Sequence, residues 1–230
     1  MKNWLKKIII AIGTVSIIVV ILFSPLIAYI FNLNYYLGLY EKNGVYASIE
    51  KEDAVRLTED LFGFFRENKE FKPFTLKNDL PYFTAGEISH LEDVRILFNK
   101  IFLAYYICLG LAVLSVIGLI EKNSKKFLKN ISLLLILPSA ILIFFLLLLF
   151  LFSQNFLPLF DKFHYIFFPQ GNFAFPEDST LITLLPLGFF NDFFERLVIS
   201  AVIISCISII SGVLLSIALK KYFKKKESVK

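Results

Sequence analysis

Two histidines stand in a chain of 230 residues, His90 and His164, and each has a carboxylate three residues away. Histidine is the side chain that gives or takes a proton near neutral pH. On a helix, positions three and four apart share a face, so Glu87, His90 and Asp93 line up with Val94 and Leu97. Glu87 or Asp93 is then in reach of one ring nitrogen of His90 and would fix its tautomer. Asp161 precedes His164 by three residues and repeats the arrangement. Such pairs have two readings: an acid and base couple, or interfacial side chains with an apolar body and a wet tip.

Other chemistry is less well provided for. His90, His164 and two carboxylates are zinc-ligand types, but no HExxH spacing occurs and the ligands would come from separate loops, so no metal is expected. No GxSxG elbow is present, and Ser89, adjacent to His90, points elsewhere on a helix. An enzyme built from these residues would use acid and base groups on a reaction whose nucleophile arrives with the substrate, with no cofactor. Arg95, Asp178, Asp192, Glu195 and Arg196 read as solvated rims or interface anchors.

The elements that must position the histidines are set by lipid. Hydrophobic residues make up 57% of the chain against 19% charged, and the mean hydropathy is +0.70. Four stretches without a charge, 8–31, 101–120, 131–152 and 197–219, each approach or exceed the ~20 residues that cross a hydrocarbon core. An all-α membrane protein follows: one membrane domain over 1–230, four spans, outer loops 32–100 and 153–196, and a short turn 121–130. Of the 24 Lys and Arg, 13 lie in the two termini and that turn, beside only two of the 19 acids, which puts those segments in the cytoplasm. The net charge of +5 then belongs to lysines that meet anionic lipid headgroups and is no nucleic-acid signal. Both histidines fall on the outer face. The spans hold no ionisable side chain of the kind ion-coupled transporters place at mid-membrane depth. Cys108 and Cys206 sit inside spans and suggest no disulfide framework.

Within the first outer loop, Ala54, Val55, Leu57, Leu61, Phe62 and Phe65 recur at helical spacing and predict an amphipathic helix over about 51–68. Thr84 and Glu87 have the spacing of a capping box, and no breaker follows until the second span ends, so one long helix over about 86–120 should carry His90. The second outer loop has eleven Phe in 44 residues. Its apolar runs 156–168 and 181–190 are too short to cross and read as interfacial or re-entrant pieces, the second capped by Asp178. Together they predict a greasy roof, with Phe167 and Phe168 among the rings suited to acyl chains.

Three stretches, read in order, resemble a family of small bacterial membrane proteins that includes the lipoprotein intramolecular transacylases. They are Glu87-Ile-Ser-His90-Leu-Glu-Asp93-Val-Arg95, then Phe163-His164-Tyr165-Ile-Phe167-Phe168 leading to the run 178–186, and finally Phe189-Phe190. The four-span layout agrees over the whole chain. One departure is that Phe173 and Phe175 occupy the turn where the family usually carries a Trp. The resemblance implies a multi-pass enzyme of the bacterial cell membrane whose partners are membrane lipids and diacylglyceryl-modified lipoproteins. An acyl chain would move from the glyceryl sn-2 oxygen to the N-terminal cysteine amine. His90 and His164 would be catalytic, one removing a proton from the amine and the other protonating the departing oxygen. Glu87, Asp93, Arg95, Asp161, Tyr165, Phe167 and Phe168 are the candidates for orienting them or holding substrate. A non-catalytic membrane subunit or lipid-binding scaffold, and a metal-dependent membrane hydrolase, are the competing readings.

Overall fold

The four charge-free stretches become the apolar parts of four long helices, because in lipid a backbone must satisfy its own hydrogen bonds. The computed structural model describes residues 2–67, 82–152 and 155–227, and among these the chain is helical without strands. In order the helices are α1 (Asn3–Tyr29), α2 (Leu33–Lys42), a 3₁₀ turn (Val45–Ala47), α3 (Lys51–Glu67), α4 (Ala85–Gly118), α5 (Ser124–Phe152), α6 (Phe156–Phe167), α7 (Thr180–Leu184) and α8 (Leu187–Glu227). α1, α4, α5 and α8 are the four long and apolar enough to cross a membrane. The chain divides into two compact units.

The first unit comprises Met1–Leu26, Phe102–Phe152 and Leu197–Lys230, the greater part of the apolar segments. Ile21, Leu142, Leu146 and Ala201 form a buried layer on which Ile17, Ile18, Leu149 and Val202 pack. Small residues let α5 and α8 approach closely. Ser132 Oγ donates to the Gly212 carbonyl at 2.8 Å and Ser208 Oγ to the Leu135 carbonyl at 2.9 Å, which fixes an antiparallel register. Lys6 pairs with Glu121 at 2.7 Å, bringing the N-terminus beside the short basic turn. Leu103, Leu114, Phe144, Ile207 and Leu214 face outward, as lipid-contacting side chains do.

The second unit comprises Ile27–Ile101 and Ser153–Arg196. The amphipathic helix is present as α3, with Ala54, Leu57, Leu61, Phe62 and Phe64 buried. Tyr40 is fully buried; its hydroxyl donates at 2.8 Å to Thr58 Oγ1, which in turn donates to the Ala54 carbonyl at 2.7 Å. Tyr36 packs against Phe62 at 4.9 Å and Phe189 at 5.1 Å between ring centroids. Part of the Phe-rich roof is therefore interior: Phe168, Phe189 and Phe193 are core residues.

Three boundaries differ from those read in the sequence. α2 forms where only interfacial aromatics are expected, because Asn32 caps it by accepting from the Tyr35 amide at 3.1 Å. The apolar run 181–190 is not one piece. It breaks after Leu184, and Leu187 starts α8, which continues unbroken into the last span because nothing after Pro186 interrupts it. The cap of α7 is Ser179, not Asp178: the Ser179 oxygen accepts from the Ile182 amide at 3.4 Å.

Candidate active site

The capping box at the start of α4 forms, and it fixes where His90 lies. Thr84 Oγ1 accepts from the Glu87 amide at 3.3 Å, while Glu87 Oε2 accepts from the Thr84 amide at 2.7 Å and hydroxyl at 2.9 Å. Glu87 Oε1 accepts from the Leu181 amide at 2.8 Å, in the first turn of α7. One carboxylate, 1% exposed, thus joins the N-terminal ends of two helices, where backbone N–H groups lack intrahelical acceptors. His90 follows one turn later.

His164 comes from α6, whose N-cap is Asn155. Its Nδ1 lies 2.8 Å from the Phe160 carbonyl, an acceptor only, so Nδ1 carries the proton and Nε2 presents the lone pair of the neutral ring. Both histidines are buried, at 7% and 8% exposure, and their rings stack at 5.9 Å between centroids with 28° between planes. Aromatic rings surround the pair. Phe168 lies against both, at 4.8 Å from His90 and 5.6 Å from His164. Phe160 and Phe173 flank His164 at 4.1 and 5.0 Å, and Phe175 flanks His90 at 5.7 Å. Phe173 and Phe175, from the turn after α6, therefore each pack on a histidine, a role their position in a turn did not reveal.

This surround disfavours charge on the rings. Burial, with the neighbouring His164 ring, pushes His90 down to about 4 against an upward pull from Asp93. Burial lowers His164 too, opposed by the Phe160 carbonyl and Asp161. His90 Nδ1 is buried and has no hydrogen-bond partner among the described residues.

The carboxylates that spacing placed beside the histidines are used differently. Glu87 does not hold the His90 ring, because both its oxygens serve the helix starts. Asp93 acts on His90 through charge, and its Oδ2 accepts at 2.7 Å from Gln170 Nε2 and at 2.7 Å from Asn172 Nδ2. Asp161 likewise acts through charge while a backbone carbonyl orients His164. Phe168 is in the pair's wall, whereas its neighbour Phe167 and Tyr165 point outward, at 48% and 68% exposure. Arg95 stacks over Phe64, 4.4 Å from its ring centroid, on the α3 side of α4. Gln170 and Asn172, absent from the reading by spacing, tie the turn after α6 to α4; only their polarity in an otherwise aromatic stretch marks them.

The model of the family described as lipoprotein intramolecular transacylase Lit matches residues 10–190. The structure is similar to that of the membrane-integral lipoprotein intramolecular transacylase Lit from Bacillus cereus, with a TM-score of 0.70, 20% identity and 100% of each chain covered. Two variants of that protein with a histidine replaced also match. The arginine variant has a TM-score of 0.65 at 21% identity, covering 99% of this chain and 96% of that one. The alanine variant has a TM-score of 0.65 at 20% identity, covering 98% and 97%. At such identities the likeness is one of fold. No curated protein matches the sequence.

Proposed function

The chain belongs to the lipoprotein intramolecular transacylase family Lit, and from that premise we propose that it moves an acyl chain from the glyceryl sn-2 oxygen of a diacylated lipoprotein to the N-terminal cysteine amine, using His90 and His164. The observation that carries this reading is the stacked, buried histidine pair with a fixed His164 tautomer. The amine nitrogen forms a bond to the ester carbonyl carbon, the bond from that carbon to the sn-2 oxygen breaks, and one proton passes from nitrogen to oxygen. Nothing is gained or lost, so the pair must end as it began.

The geometry and the low basicity of His90 revise the expected division of labour between the two rings. His164 Nε2 takes the amine proton as the tetrahedral centre forms and returns it to the departing oxygen. His90 stays neutral and donates a hydrogen bond to the oxygen on which negative charge develops, where a water-poor site strengthens it. Both reactants are parts of one molecule, so holding them in register supplies much of the acceleration. Phe167 and Tyr165, exposed at the edge of the aromatic wall, are the side chains offered to the acyl chains and the surrounding lipid. The charge asymmetry supports cytoplasmic termini and a site at the outer face of the bacterial cell membrane.

The test is expression in a host that makes only diacylated lipoproteins. The wild type should leave lipopeptide mass unchanged while blocking its N-terminal amine. His90→Ala and His164→Ala should each abolish the conversion, and His164→Gln should be as inactive as His164→Ala, while His90→Gln, which still donates a hydrogen bond, retains part of it. A blocked lyso product from both Ala variants, inserted and accumulated normally, would show that the pair is not catalytic.

A further inference from the structure

The turn after α6 contains a polar cluster in an aromatic neighbourhood, and its hydrogen bonds are unevenly distributed. Gln170 Nε2 and Asn172 Nδ2 both donate to the same oxygen of Asp93, at 2.7 Å each. Asn172 Nδ2 also lies 3.4 Å from Ser89 Oγ. A carboxylate has about four acceptor positions over two oxygens, so Asp93 Oδ1 is left with its capacity unspent among the described residues. The orientation of the Asn172 amide is forced, because turning it over would set its oxygen against the carboxylate. Its Oδ1 is then a buried acceptor with no hydrogen-bond partner among the described residues. A buried acceptor left this way is unfavourable, and a ligand rich in donors would relieve it.

The cluster lies beside the reacting groups. Asp93 is on the His90 face of α4, one turn further along, close enough for its charge to act on that ring. Asn172 precedes Phe173, which packs on His164. Two hydrogen-bonded neighbours with acceptor capacity to spare, one of them charged, suit a compact cation with several N–H donors. We infer that Asp93 and Asn172 form the subsite that receives the primary ammonium of the substrate's N-terminal residue, which gives one proton to bulk water to become the neutral amine that attacks. The inference rests on the transacylase reading and adds the group by which the substrate is recognised. Gln170 acts as a positioning residue that holds the carboxylate.

Recognition can be measured without turnover by using a dialkyl ether lipopeptide, which has no acyl group to move, with its N-terminal amine either free or acetylated. The wild type should bind the free-amine form at least about ten-fold more tightly, the scale of a hydrogen bond to a charged group. Asp93→Asn, nearly isosteric, should bring the two affinities to within about two-fold, and Asn172→Ala should lower the preference several-fold. No preference in the wild type, or one retained in Asp93→Asn, overturns the subsite whatever the histidine variants do. If the histidine variants still convert substrate while the preference follows Asp93, the catalytic reading fails and the subsite stands.

Discussion

Replacing Glu87 with glutamine changes one atom of a buried carboxylate that accepts from the Thr84 amide, the Thr84 hydroxyl and the Leu181 amide. Glutamine keeps a single acceptor oxygen, so either the start of α4 or the start of α7 loses its partner, and the new NH₂ is turned against another donor. Losing a hydrogen bond to a carboxylate costs about 1.5–3 kcal/mol, and stranding a buried donor about 1–3 kcal/mol more. The sum, roughly 2.5–6 kcal/mol, corresponds to a drop in Tm of about 5 °C or more for a chain of this size. Thermal unfolding in detergent measures it, with Glu92→Gln as the reference. Glu92 is exposed on the same helix and should shift Tm by less than about 2 °C. If Glu87→Gln moves Tm no further than Glu92→Gln, the clamp between the two helix starts contributes nothing and the account of how His90 is positioned is wrong.

The depressed His90 has a linked effect on stability: between its folded value of about 4 and its ordinary 6.5 the unfolded chain binds more protons, so stability should fall as pH drops through that window, by at most roughly 1.4 kcal/mol per unit. His90→Phe should flatten the decline, and parallel Tm profiles for variant and wild type would contradict the buried neutral ring. A Cβ at Gly212 would lie 2.7 Å from Ile136 Cγ1 and 3.1 Å from the Ser132 carbonyl, whereas one at Gly110 meets nothing within 4 Å. Gly212→Ala should therefore lose about 1–3 kcal/mol in the same unfolding assay while Gly110→Ala loses none. For orientation, cysteines at the exposed positions Glu52 and Glu177 should react with an impermeant thiol reagent in intact cells, and one at Ser124 should not; labelling at Ser124 alone would invert the proposed topology.

What the sequence determined by itself is local or set by the solvent. The four crossing helices follow from charge-free length, since a chain in lipid has no alternative acceptor for its amides. α3 follows from an apolar period and the start of α4 from a box that closes within four residues. What only the tertiary structure decided is pairing between distant segments. Spacing put carboxylates beside both histidines, yet Glu87 is used by Leu181, 94 residues away, and His164 by the backbone of its own helix. Phe167 and Phe168 are equivalent in sequence, but α6 ends between them, and the non-helical backbone at Phe168 (φ −127°, ψ 62°) turns that ring inward against His90 while Phe167 stays outside. The choice of Ser179 over Asp178 as a cap depends on where α7 begins. Such choices are made by competition among acceptors and rings for the same buried space, which exists only after the segments have met.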